Sequence, residues 1–359
     1  MVECLRDRIL RRNGMVVFYE LLPPPEQAAP EEVHAVVESV LELLRTVAVP
    51  IDAINIPEVR PESRTGERPQ AFVPKMAPRK FAATLQAHLP ASVEVIINRC
   101  VVYAPRPAQV RWLVHTYQKY GIHNLIVVGG ESSQIRYPGP SVLETARWLS
   151  QDLRRGRHPL NGARLAAPID YCIGGITIPT RRKPDPQRDE PNRLLQKARM
   201  GIEFFTSQVL YESRSIQELL RDYDRLCQQQ GVPPRRIFLS FAPVSSAGDI
   251  RFLKWLGVVI PPEVERELLR GWLGIAWRSI RVAERILMDI MEFVERERIR
   301  VPLGLNVEHI TSRNFEISAE MIDRLHEIIA GSGSRVRRSE VEAEHALQLA
   351  WLEMDDAII

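Results

Sequence analysis

Short apolar runs of strand length alternate with longer amphipathic stretches along most of the chain. Residues 15–22 form an apolar run that stops at Pro23-Pro24-Pro25. Residues 30–45 follow with helical spacing, placing Val33, Val36, Val37, Val40, Leu41 and Leu44 on one stripe. The same reading predicts further strands at 51–56, 93–98 and 124–128, within 166–178, and at 204–210, 236–241 and 301–307. Helices are predicted at 107–119, 141–154, 192–201 and 216–230, in several segments up to 296, and at 318–329. Gly121 stops the helix before the fourth strand. Eight strands alternating with helices predict a parallel sheet, and eight such units predict closure into an α/β, (β/α)8 TIM barrel.

Two stretches break the alternation. Residues 58–78 are rich in Pro, Arg and Glu and read as a long loop after the second strand. Residues 179–191 (PTRRKPDPQRDEP) read as a charged, proline-broken loop after the fifth. Long loops inside a compact domain are usually functional. A glycine- and serine-containing link at 331–334 precedes a predicted helix at 340–353, dividing the chain into a barrel domain (1–330) and a C-terminal helical extension (331–359). The extension is suited to pack on the barrel or on another subunit, so a homo-oligomer is one of the expected arrangements.

Length and composition agree with this organisation. The 359 residues fit one barrel of about 250 residues with additions, or two ordinary domains. Hydrophobic residues at 45% and charged residues at 26% are ordinary for a globular enzyme. The net charge is only +3, and no Lys/Arg run is interleaved with aromatics, so charge implies no nucleic-acid partner. The four cysteines form no C-x-x-C pair and lie at no zinc spacing, which suits reduced thiols in a cytoplasmic protein. No metal is expected. Neither a secretory leader nor a run of about 18 apolar residues is read, so no membrane association is expected.

In such a barrel the chemistry belongs at the C-terminal ends of the strands. The first strand ends Phe18-Tyr19-Glu20-Leu21, and a carboxylate within an apolar strand is costly unless paired or used. Burial would raise its pKa and suit it to general-acid work; a structural pairing with an arginine is the equal alternative. The fourth strand ends Val128-Gly129-Gly130-Glu131, where glycines permit close backbone approach, although a plain turn explains them as well. Gly174 and Gly175 in the fifth strand mark close approach or tight packing. The sixth strand ends Thr206-Ser207-Gln208, offering an amide with donors and acceptors. Asp52 and Asn55 fall near the end of the second strand. Glu308 beside His309 could form an acid–base pair, but strand neighbours face opposite ways, so at least one of the two is structural.

Taken in order on one barrel, Tyr19–Pro24 (YELLPP), Gly129–Glu131 (GGE), Ile173–Gly175 (IGG) and Thr206–Gln208 (TSQ) resemble the bacterial catalytic form of methylenetetrahydrofolate reductase, over about residues 15–315. The resemblance implies reduction of 5,10-methylenetetrahydrofolate to 5-methyltetrahydrofolate. It implies Glu20 as general acid, Glu131 and Gln208 as contacts to the reduced folate's pterin, and NADH or NADPH as the source of hydride. It also implies an FAD site, with Lys197 on the diphosphate and Asn55 and Gly130 at flavin-facing positions. Against that pattern, Asn55-Ile56-Pro57 replaces the family's T-Y-G, Gly129 replaces an arginine, Ile97 a histidine and Ile178 a tyrosine. The simplest reading is a divergent member that keeps the folate pocket and binds FAD weakly, differently or not at all. The alternatives are a non-catalytic folate-binding or regulatory homologue and another folate-linked one-carbon oxidoreductase.

Overall fold

In a computed structural model, which describes residues 3–61, 64, 66–130, 135–181, 189–270, 274–309 and 315–330, the eight predicted strands pair in sequence order. They are β1 (Val17–Leu21), β2 (Ala53–Ile56), β3 (Glu94–Cys100), β4 (Asn124–Val128), β5 (Cys172–Thr177), β6 (Phe204–Ser207), β7 (Arg236–Phe241) and β8 (Leu303–His309). All pairings are parallel, and β8 closes on β1 with Glu20 opposite Glu308. The chain is therefore a (β/α)8 barrel. The predicted extension at 331–359 lies outside the described residues.

The helices are α1 (Leu5–Leu10), α2 (Pro30–Thr46), α3 (Pro78–Gln86), α4 (Arg106–Tyr120), α5 (Val142–Arg147), α6 (Glu190–Arg199), α7 (Arg214–Gln229), α8 (Ala247–Trp255), α9 (Pro262–Leu269), α10 (Ile275–Arg296) and α11 (Phe315–Ile329). Their apolar stripes cover the outer face of the sheet. Proline at the first turn of α2 fits its preset φ, and Val37, Val40 and Leu43 are buried against the barrel. In α7, Ile216, Leu219, Leu220, Tyr223 and Cys227 form the buried stripe. The predicted helix at 141–154 is less regular: α5 passes into a π-helical segment (Trp148–Asp152) and a 3-10 turn (Leu153–Arg155) ended by Gly156 at φ 68°. Among the described residues no helix is long and apolar enough to cross a membrane.

Alternate strand residues point into the barrel, and the lower half of that interior is apolar. Phe18, Ala53, Ile96, Ile126, Cys172, Phe204 and Phe238 pack there as one cluster with Leu5 and Ile9. The Phe18 and Phe238 rings stack at 3.8 Å, and Phe204 meets both edge-on. Gly174 and Gly304 exist to admit these rings. A Cβ on Gly174 would lie 2.4 Å from Phe204, and one on Gly304 2.5 Å from Phe238. Of the two sequence readings of Gly174, tight packing is the one realised.

Two helices, α1 and α3, were not anticipated from the sequence. α1 is six residues long with charges at Arg6, Asp7 and Arg8, which reads as surface. It instead plugs the N-terminal end of the barrel, with Leu5 and Ile9 one turn apart on its buried face. Its charges tie to the barrel rim: Arg6 to Asp170 (2.8 Å) and Glu203 (3.1 Å), and Arg8 to Asp52 (2.6 Å). Arg236 is buried beneath the plug and donates to the carbonyls of Ile9, Arg11, Gly14 and Leu303. Asp52 thus belongs to the end of the barrel opposite Asn55, where it also accepts from the Val17 N–H at 2.7 Å.

A carboxyl pair in the barrel mouth

Above the phenylalanine layer the interior becomes polar. The inward positions of β1, β2, β3, β7 and β8 are Glu20, Asn55, Asn98, Ser240, Asn306 and Glu308. Asn55 donates its Nδ2–H to Glu20 Oε2 at 2.6 Å. Asn98 and Asn306 also hydrogen-bond to the Glu20 carboxyl. Asn306 Nδ2 donates to Ser240 Oγ at 3.0 Å and to Glu308 Oε1 at 3.3 Å. The amide Oδ1 atoms of Asn55, Asn98 and Asn306 are buried without a donor among the described residues, so the floor of the mouth offers acceptors to a ligand's N–H groups.

Two carboxyls in this setting cannot both ionise freely. Burial pushes Glu20 well above the ordinary carboxylate range, the neighbouring Glu308 pushes it further, and the Asn306 and Asn98 hydrogen bonds only partly oppose this. Burial likewise raises Glu308 to about 7, against the Ser240 hydrogen bond. Both side chains keep some solvent contact at the mouth, so ligand and proton can reach them. With both carboxyls raised, protonated carboxyl persists in the mouth towards neutral pH.

His309 points the other way. Its ring lies between the barrel and α11, 6.0 Å from Tyr19 and 4.4 Å from Phe315. The acid–base neighbour of Glu308 is therefore Glu20, across the strand, and His309 is the structural member of its dipeptide.

Gln208 sits at the exit of β6, half-buried, with Nε2 3.4 Å from the Leu256 carbonyl, a contact weak enough to be exchanged for a ligand. Glu131 lies outside the described residues. The three positions linked to FAD by resemblance each have an internal role. Asn55 holds Glu20. Gly130 makes room for Tyr137, whose ring would lie 2.2 Å from an added Cβ. Lys197 is buried behind β5, donating to the Ile176 carbonyl at 2.6 Å and pairing with Glu190 at 3.7 Å; burial lowers its pKa to about 8. Among the described residues these three positions are each engaged within the protein. No group of three or more metal-ligating side chains occurs among the described residues.

The sequence reading missed Asn98, Ser240 and Asn306 as site residues. Their signal was strand parity: each is an even number of positions from an inward-facing residue on its own strand (Ile96, Phe238, Gly304).

No protein-family model and no curated protein matches the sequence. The fold is similar to that of an uncharacterized Clostridium thermocellum protein that binds two copies of 5-methyl-5,6,7,8-tetrahydrofolic acid. The TM-score is 0.70 and the identity 22%, covering 91% of this chain and 99% of that one. EDTA monooxygenase from Chelativorans sp. BNC1 is more distant, at TM-score 0.47 and 10% identity over 90% of this chain and 95% of the other. At these identities the likeness is one of fold: a complete (β/α)8 barrel spanning nearly the whole of the first neighbour.

Proposed function

We propose that this protein binds a reduced folate in the barrel mouth and reduces its 5,10-methylene bridge to a 5-methyl group, with hydride from NADH or NADPH. The observation that carries the reading is the Glu20–Glu308 pair, which keeps a protonated carboxyl within a ring of amides where a heterocycle's N–H groups would be accepted. The fold neighbour's bound 5-methyltetrahydrofolic acid supports the ligand class.

The chemistry asks two things of the site. Glu20 gives its proton to N10 of the bridged folate as the bond from N10 to the methylene carbon breaks, leaving an iminium at N5. Hydride then adds to that carbon, giving the methyl group and an oxidised nicotinamide. Glu308 stands next to the carboxylate left behind and can return a proton to it through the mouth. Asn55 fixes the carboxyl's orientation, and Gln208 and Glu131 contact the pterin. Direct transfer needs the donor and acceptor carbons held about 3–3.5 Å apart. Because the flavin-linked positions are used internally, no step is assigned to FAD.

The same internal use favours a second reading, a folate-binding homologue without turnover. The costly carboxyl pair argues for catalysis, since a binder has no need of two buried acids side by side.

An anaerobic assay with 5,10-methylenetetrahydrofolate decides between them, supplying NADH, NADPH and added FAD in turn. Turnover without FAD is the expected result. Turnover only with FAD would restore flavin dependence. Folate binding without turnover under any condition would establish the binder, and absence of folate binding would overturn the proposal.

A further inference from the structure

A second concave surface lies outside the barrel, on the side of α4 turned away from the sheet. The helix packs inward through Gln109, Leu113 and Thr116, all fully buried. Ala108, Arg111, Trp112, His115 and Gln118 share its outer side, three and four positions apart. They line a groove of about 570 Å³, together with Arg79 of α3 and with His158 and Leu165 from the segment that precedes β5. That volume is in the range of small-molecule sites, and the barrel wall separates it from the mouth.

The polar groups of the groove are of one kind. Arg79, Arg111, His115, Gln118 and His158 can all donate N–H bonds, and none of the residues lining the groove is acidic. Arg79 is half-buried, with its guanidinium 5.4 Å from the Trp112 ring centroid and 5.2 Å from that of Tyr120. Its Nε is buried without a hydrogen-bond partner, and Nη1 reaches only Thr116 Oγ1, at 3.5 Å. Arg99 rests on the same Trp112 ring at 4.4 Å but is paired with Glu58 at 2.7 Å. Arg79 has no such carboxylate among the described residues, and neither has the exposed Arg111. A cation partly withdrawn from water without a counter-charge is costly, and an anion seated beside it removes that cost. The rest of the wall, at Ala108, Trp112 and Leu165, is apolar and suits a ring.

We propose that this groove binds an aromatic carboxylate, with the acid on Arg79 and Arg111 and the flat ring system against Trp112, Ala108 and Leu165. The site is separate from the carboxyl pair in the mouth and does not depend on the reduced-folate reading. Its affinity would fall as salt screens the exposed part of the charge pair.

Calorimetric titration of the full chain with 2-naphthoate, its neutral amide 2-naphthamide, and acetate tests this. Naphthoate is expected to bind with Kd below about 1 mM, the amide and acetate at least about tenfold more weakly. Arg79→Gln is expected to raise the naphthoate Kd about tenfold, with Arg79→Lys between the two. Arg111→Ala, at an exposed position, is expected to raise it about threefold, and it carries the charge test should Arg79→Gln fail to fold. Ala108→Phe fills the apolar wall and is expected to abolish binding with every charge in place. Equal binding of the amide would make the groove merely apolar, and equal binding of acetate would make it a non-selective cationic patch; either overturns the proposal. So would an absence of naphthoate binding, unchanged affinity in both Arg111→Ala and Ala108→Phe, or displacement of naphthoate by 5-methyltetrahydrofolate, which would place the probe in the mouth.

Discussion

Glu20 and Glu308 occupy paired register positions on β1 and β8, the two strands whose pairing closes the barrel, and both point into its mouth. They are 288 positions apart in the chain (308 less 20), yet the Glu308 carboxyl raises the pKa of Glu20. Burial and this like-charge neighbour hold Glu20 protonated where an ordinary carboxylate would have ionised.

Replacing the acid should separate binding from chemistry. Glu20→Gln keeps the shape of the side chain and removes the proton that N10 must receive. Turnover should fall at least a hundredfold, in line with the usual contribution of general acids, while Kd for 5-methyltetrahydrofolate stays within about threefold. Steady-state kinetics and calorimetric titration read the two quantities, and near-wild-type turnover would remove Glu20 from the mechanism.

Neutralising Glu308 should move the pH profile. Activity that needs protonated Glu20 declines as pH rises through the pair's upper ionisation. In Glu308→Gln the like charge is gone, so the Glu20 pKa falls and the alkaline limb shifts to lower pH. An unmoved limb would mean that the pair is not the group titrating.

The same pair should make stability pH-dependent. A carboxyl whose folded pKa lies above its unfolded value holds extra protons when folded, so stability falls as pH rises from the ordinary carboxylate range through about 7. Glu308→Gln should therefore be stabilising at pH 8, by up to about 3 kcal/mol, and close to neutral at pH 4. Denaturant unfolding at the two pH values checks this, and equal effects at both would contradict it.

Filling the space beside Phe238 should be costly. Gly304→Ala puts a methyl 2.5 Å from that ring and 3.0 Å from the Val16 carbonyl, neither of which can retreat within the packed barrel. A loss of about 2–3 kcal/mol is expected from such overpacking. An unchanged Tm would show that the ring layer can rearrange.

Truncating the plug should affect stability alone. Leu5→Ala removes a fully buried side chain from the lower barrel cluster and should cost about 3 kcal/mol. Folate affinity should remain within twofold, because α1 closes the end opposite the mouth. A tenfold loss of affinity would show that the two ends are coupled.

The alternation of apolar runs and amphipathic stretches was enough to place eight strands, because each strand buries both faces and each helix shows one stripe. Strand parity set Glu308 and His309 on opposite faces without saying which faced the mouth, and an acid within the apolar run at Val17–Leu21 drew attention to Glu20. Other features have no local signature. The charges on α1 read as surface until Asp170, Glu203 and Asp52 arrive from distant strands to pair with them. Gly174 and Gly130 could serve ligand or packing from sequence alone, and only the rings of Phe204 and Tyr137 decide for packing. Lys197 has the residue type of a phosphate contact, but the Ile176 carbonyl and Glu190 take its charge. Local pattern determined the elements and singled out Glu20 as a candidate, because periodicity and residue type act within a few positions. Closure of the barrel decided which carboxyls lie side by side and which polar groups are engaged, because those properties depend on residues hundreds of positions apart.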